Sequence, residues 1–178
     1  MRTTILTVAI SVFAISLSAA ETPREFARSF YAAHQAWPIR GVPTTEQEGL
    51  VSRFLSIEII QAFRRVSEHR LLEAELFDPE NPMKPRWCNE GDVFCGTWEG
   101  ITHYSIGNAK RQGGRWIVDA HLEYIEGGVS YPWTDRLVLD RAGEDWVVAD
   151  IEYSRGGTLL TSILEELTEA DAEITKTN

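Results

Sequence analysis

Five side chains in this sequence could supply acid–base chemistry: Asp119, Asp150, His103, Tyr104 and Tyr31. An isomerase or dehydratase built on a small domain needs a carboxylate base in an apolar cavity, faced by a tyrosine or protonated acid that meets the developing oxyanion. Strand alternation sets Asp119 with Ile117, His121 and Glu123, a largely polar set that faces water. Asp150 shares a face with Trp146 and Val148, whereas Ile151 and Tyr153 share the other. A continuous apolar face therefore requires a bulge near Ala149-Asp150, and bulges re-aim side chains, sometimes beside sites. In the structural alternative, Asp150 hydrogen-bonds a loop or pairs with an arginine. None of these residues is singled out as catalytic. Nucleophilic catalysis has less to work with, because there is no G-x-S-x-G elbow and no phosphate-binding glycine loop.

A second group suits contact with a partner. Trp87, Trp98, Tyr131 and Trp133 fall in loops or at strand ends, off any periodic apolar face. Aromatic residues are enriched at interfaces, and Asp92 is placed to join them; the alternative is that they seal the end of the sheet core, since tryptophan is often only partly buried. Cys88 and Cys95 bracket Asn89–Phe94. In an exported chain an even cysteine count points to a disulfide, which would pin the end of the irregular stretch from Asp78 to Glu90, where Pro79, Pro82 and Pro85 break regular structure. Two thiols do not complete a structural zinc site, and His34, His69, His103 and His121 lack ligand spacing. No metal or cofactor is expected.

The elements that must position these residues can be read along the chain. Arg2, the apolar run from Ile5 to Leu17 and the small residues Ser18-Ala19-Ala20 make a signal peptide, with cleavage expected after Ala20 and a periplasmic or secreted product. That run is short for a membrane span, and no later stretch could cross a bilayer. The 178 residues suit one domain, expected from 21 to 167, with a flexible polar tail from 168 to 178. The net charge of −10, with no basic stripe, disfavours nucleic acid and anionic lipid as partners.

Thr22-Pro23-Arg24-Glu25 predicts a capped helix start, followed by a stripe of Phe26, Phe30, Ala33 and Trp37. A second helix is expected from Thr45 with Leu50, Phe54 and Leu55 on its apolar side. A third runs from Ile57 to about Leu76, with Arg64, Arg65, Glu68, Arg70 and Glu73 on a solvated face. Gly100–Asn108 reads as the first strand and Lys110–Gly114 as a loop. A three-stranded meander then spans Arg115–Tyr124, Asp135–Asp140 and Asp145–Tyr153, and a C-terminal helix carries Leu160, Ile163, Leu164 and Leu167. Helices followed by strands give an α+β class.

This order resembles the nuclear transport factor 2-like superfamily, also called cystatin-like cones. More narrowly, it is similar to a family of exported bacterial envelope proteins known only as a domain of unknown function. The residues that carry the likeness are Phe30-Tyr31, Gly91-Asp92-Val93-Phe94, Thr102–Gly107 and Trp146-Val147-Val148-Ala149-Asp150-Ile151, spread in order from Thr22 to Leu167. The resemblance implies N-terminal helices packed on a curved sheet of about four strands. With the first strand and the meander as antiparallel neighbours, the 124–135 turn and the start of the first strand lie at one end of the sheet, which gathers Trp87, Asp92, Trp98, Tyr131 and Trp133 around the mouth of the cone. The resemblance also implies an envelope role without an established reaction. The expected function is a non-catalytic module that binds an envelope protein or a small ligand. The alternatives are a small isomerase, dehydratase or hydrolase with its base in the cone, and an immunity or inhibitor protein.

Overall fold

The computed structural model describes residues 21–37, 39–75 and 87–177. The segment expected to be a signal peptide and the stretch with Pro79, Pro82 and Pro85, expected to be irregular, lie outside the described residues. The elements in chain order are α1 (Pro23–Ala36), α2 (Glu48–Val51), α3 (Ile57–Glu75), α4 (Trp87–Glu90), β1 (His103–Gln112), β2 (Arg115–Glu126), β3 (Val129–Ala142), β4 (Asp145–Glu152) and α5 (Leu159–Thr177). The class is α+β, as expected. Four antiparallel strands form one open sheet in the order β1-β2-β3-β4, with helices before and after it.

The start of α1 is set locally. The Thr22 side chain accepts from the Glu25 amide and the Glu25 carboxylate accepts from the Thr22 amide at 2.8 Å, so two orphan donors are satisfied with Pro23 in the first turn. The face buried on the sheet is Phe26, Ala27, Phe30, Tyr31 and His34. The second helix is a single turn rather than one beginning at Thr45. Thr44 ties back its own loop, accepting from Gln47 through its carbonyl and donating to Glu46 from its hydroxyl. Glu48 pairs with Arg64 at 2.6 Å. Leu50 is exposed, while Leu55 leaves the helix and bridges β4 at Val148. Arg70 is not on a solvated face: its guanidinium donates to the Val42 carbonyl at 3.2 Å and to the Cys88 carbonyl at 2.5 Å.

Two-residue Gly-Gly turns close the first two hairpins, and Gly143-Glu144 closes the third. Gly113-Gly114 and Gly127-Gly128 have positive φ at both positions, the left-handed pair that matches the twist of the flanking strands. The stretch 110–112, expected in a loop, extends β1 instead, with Lys110 opposite Ile117 and Gln112 opposite Arg115. A register shift between Ile106 and Ala109 kinks this edge strand, and Lys110 and Arg111 add charge to it. Both features discourage pairing with another chain.

The expected bulge in β4 is present. Leu139 pairs with Val148 and Val138 with Asp150, which leaves Ala149 as the extra residue. Trp146, Val148, Ile151 and Tyr153 thereby all enter one core with the helices, while Ile117, Val138 and Ala149 form a small cluster on the opposite face. α5 runs on to Thr177, and Ala170 is buried, so the helix extends through residues assigned to a flexible tail. His69 on α3 lies 3.3 Å from Asp171 on α5. Among the described residues, no helix is long and apolar enough to cross a membrane.

Candidate functional site

The helix face that carries Phe30 also turns Tyr31 and His34 inward, and the loop after α4 brings Asp92 to meet them. His34 Nε2 lies 3.0 Å from Asp92 Oδ1 and 2.9 Å from Oδ2. Asp92 Oδ1 also accepts from the Phe94 amide at 3.0 Å, and the Asp92 amide donates to the Thr97 carbonyl at 2.7 Å. The pair is buried. Burial pushes the Asp92 carboxyl up, but the hydrogen bond and charge of His34 outweigh it and hold the group below the usual carboxylate range.

Further ionisable groups share this interior. Asp135 on β3 is 1 % exposed and accepts from Trp133 Nε1 at 3.1 Å and from the Ser154 amide at 2.8 Å. Burial raises its carboxyl above the usual range. Tyr31 is fully buried, and burial, reinforced by the charge of Asp135, pushes its phenol well up. Neither the Tyr31 hydroxyl nor His34 Nδ1 has a hydrogen-bond partner among the described residues. Tyr153 donates to the Val93 carbonyl at 2.7 Å.

The two cysteines do not form the expected disulfide. Both are buried thiols, and Cys95 Sγ turns to Thr97 Oγ1 at 3.3 Å and to the Asp92 carbonyl at 3.9 Å. Burial raises the Cys95 thiol far above its ordinary value, which leaves no thiolate for nucleophilic work. The loop is instead pinned by Asp92, Thr97 and Tyr153. Gly96 is part of that closure: its φ is +62°, and a Cβ there would sit 2.6 Å from Tyr153 Cδ1. At Gly107 a Cβ would sit 2.5 Å from His121 Nε2, the tip of an exposed ring that can swing away. Gly96→Ala should therefore lose about 1–3 kcal/mol in urea unfolding, through overpacking and left-handed strain. Gly107→Ala should lose no more than about 1 kcal/mol. Equal losses at the two positions would contradict this placement of Tyr153.

The acid–base candidates do not converge. Tyr104 faces the helices, its ring 5.6 Å from that of Tyr31 and its hydroxyl donating to the Arg28 carbonyl at 3.3 Å. His103 and Asp119 lie on the opposite sheet face, where His103 Nδ1 is 3.9 Å from Glu123. Asp150 lies on that face too and accepts from the Ile151 amide at 2.8 Å and from the Leu160 amide at 3.1 Å, in the first turn of α5. That is the structural role the sequence offered as the alternative.

The interior between α1 and the sheet is filled by rings. Phe30 lies 5.1 Å from Tyr31, 5.8 Å from Phe54 and 5.9 Å from Phe94, centroid to centroid. A substrate could reach Asp92 only by displacing them, and Asp135 is itself closed off from solvent. A cleft of about 640 Å³ lies elsewhere, beside the start of α3 and the β3–β4 turn. Arg53, Arg115 and Arg141 line it together with Glu58, Asp140, Asp145 and Asp150, and Arg115 meets Asp140 at 3.2 Å. Among the described residues, no group of three or more His, Cys, Asp or Glu side chains is placed to hold a metal.

The contact candidates separate. Asp92 is withdrawn from the surface by His34. The side chain of Trp87 lies outside the described residues. Trp133 is half-buried against the core, whereas Trp98 is 44 % and Tyr131 52 % exposed. Tyr131 and Trp133 share the helix-covered face of β3, opposite Tyr124 and Leu122 of β2. Thr102 donates to the Glu123 carbonyl and accepts from the Ile125 amide, both at 2.7 Å, which brings the Trp98 loop to this end of the sheet. Sequence reading missed Tyr124 and Val129, although alternation outward from Leu122 and Trp133 leads to both.

No family model, curated protein or solved structure matches this chain. The functional reading accordingly rests on the geometry of the chain itself. Two features of that geometry matter: an interior whose acids are bonded and covered, and a sheet that carries half-exposed aromatic and apolar side chains at one end.

Proposed function

We propose that this chain is an exported protein of the bacterial envelope that binds a protein partner and does not catalyse a reaction. Its resemblance to the nuclear transport factor 2-like cones and the signal-peptide pattern of its first twenty residues support the setting. The observation that carries the binding reading is the apolar face of β2 and β3, which runs past the helices to Val129 and Tyr131, 53 % and 52 % exposed. Side chains of this kind left in water are typical of contact surfaces. A base in the cone is the weaker reading, since its acids are buried and accept backbone, imidazole and indole donors.

The test places a photo-crosslinking amino acid at position 131 and, as a control, at Leu50, which is also exposed but sits on α2. Irradiation of envelope-expressing cells should yield a discrete adduct from position 131 and none from position 50. Adding Trp98→Ser should reduce that adduct several-fold with an unchanged melting temperature. No adduct at 131, or the same adduct from both positions, would remove the binding reading.

A further inference from the structure

The rows of the helix-covered face can be followed outward. Val118 pairs with Leu137, Ala120 with Asp135, Leu122 with Trp133, Tyr124 with Tyr131 and Glu126 with Val129. The first two rows are buried, Trp133 in the third is half-buried, the fourth is half in solvent and the last is exposed. The core surface thus becomes an open aromatic platform without a change of face. An open, ring-bearing face of this shape suits a chain laid across it better than a small molecule, which needs a concave site around it.

Charge selects the kind of chain. From Trp116 to Asp135 there is no lysine or arginine, and none from Trp87 to Ala109. Those two stretches meet at this end of the sheet and bring Glu99 and, on the platform face, Glu126. Among the described residues, neither the Glu99 nor the Glu126 side chain has a hydrogen-bond or ion-pair partner. Glu123 belongs to the opposite face, where it accepts from Ser130 Oγ and lies 3.9 Å from His103. Arg40 reaches the same end and donates to the Trp98 carbonyl at 2.7 Å, so it offsets part of this negative charge. The strand cations sit apart: Lys110, Arg111, Arg115 and Arg141 are at or next to the far turns, and Arg136 pairs with Glu152 at 2.7 Å.

Guanidiniums stack on rings elsewhere in this protein. Arg141 lies 3.6 Å above the Trp146 ring and Arg53 4.4 Å above that of Phe54. No such cation covers Tyr124, Tyr131, Trp133 or Trp98 among the described residues. Uncovered rings beside unpaired carboxylates attract a cation twice, through the ring face and through the charge.

We infer that this end of the sheet docks an extended protein segment carrying arginine or lysine between apolar side chains, with its cations over Tyr131 and Tyr124 and against Glu126 and Glu99. The inference rests on the binding reading above and names the chemistry of the partner. Tyr131 and Val129 take the apolar part of the segment, and the carboxylates set its sign.

The mature protein is titrated with a fluorescent peptide of alternating Arg and Leu, with its Glu-and-Leu counterpart, and with tetramethylammonium chloride. The Arg–Leu peptide should bind, the Glu–Leu peptide should not, and affinity should fall as salt rises. Tyr131→Ser and Glu126→Gln should each weaken binding by about threefold to thirtyfold. Glu144→Gln, an exposed acid at the far turn, should leave it unchanged. Three results overturn the inference: equal binding of both peptides, equal losses from Glu126→Gln and Glu144→Gln, or tetramethylammonium binding without peptide binding. Sedimentation showing a dimer that Tyr131→Ser dissolves would assign the face to a second copy and overturn it too. If the position-131 adduct forms but the Arg–Leu peptide fails to compete with it, the cationic assignment falls and the binding reading stands. If no adduct forms, the binding reading falls first.

Discussion

Asp92→Ala should cost the fold about 3–5 kcal/mol, the usual loss when one half of a buried ion pair is removed. The carboxylate accepts from His34 Nε2 at 3.0 Å and from the Phe94 amide at 3.0 Å. Alanine strands both donors beneath the rings of Phe30, Tyr31, Trp37 and Phe94, where water does not replace the lost bonds. His34→Leu alone should be similarly severe, because it leaves the carboxylate buried without its imidazole partner. The double change His34→Leu with Asp92→Asn should cost much less than the two single losses together, since asparagine keeps an acceptor for the Phe94 amide and no charge remains. Urea unfolding of the four proteins measures this directly. The pH dependence has a definite sign. The Asp92 carboxyl is held below its ordinary value, so its contribution is present above about pH 3.9 and is lost as pH falls through its lowered folded value. Wild type should lose stability in that acid range more steeply than Asp92→Ala. A single-mutant loss under about 1 kcal/mol, with the acid limb unchanged, would mean that this pair does not hold the loop.

The elements read well from sequence wherever the signal was local. The capping box at Thr22 and Glu25, the turn glycines and the bulge at Ala149 each follow from a few neighbouring residues and are where they were expected, but the stretch from Val129 to Trp133, read as part of the turn, is strand in β3. The bulge was legible because Trp146 and Val148 could not share a face with Ile151 and Tyr153 without it. What failed was set by tertiary partners. Leu55 left its helix because Val148 offers a backbone bridge, and Arg70 turned inward because two carbonyls lie within its reach. His34 and Asp92 are 58 positions apart, and no periodicity links them. His34 does stand at the helical spacing i, i+4 from Phe30, so its inward face was readable even though its partner was not. Tyr131 and Trp98 stand out in the sequence as contact candidates because they read as turn and loop, off any apolar period, whereas in the structure Tyr131 alternates with Val129 and Trp133 on one face of β3. Asp92 was placed with them from its neighbourhood alone, and burial against His34 corrects that.

Trp146→Ala should also lose about 3–5 kcal/mol, the cost of emptying a large core site. The ring is buried on β4, 6.5 Å from the Trp116 ring at 80° and with the Arg141 guanidinium above it. Its Nε1 donates to the Glu21 carbonyl at 2.7 Å, immediately before the Thr22 cap of α1. This residue therefore does two things: it fills the core beside the bulge and it fixes the entry of the first helix. Trp146→Phe separates them. Phenylalanine keeps most of the packing but removes the donor, so the global loss should fall to about 1–3 kcal/mol. The first turn of α1 should open more readily than the rest of the helix. Hydrogen exchange at the Phe26 amide, which donates to the Thr22 carbonyl at 2.9 Å, reports on that turn. Exchange at Phe26 should quicken in Trp146→Phe by more than the global loss explains, while the β2 and β3 amides follow the global loss alone. Uniform acceleration would show that the indole donor does not anchor the helix. A loss below about 1 kcal/mol for Trp146→Ala would place the ring on the solvent face and remove the register that the bulge at Ala149 imposes.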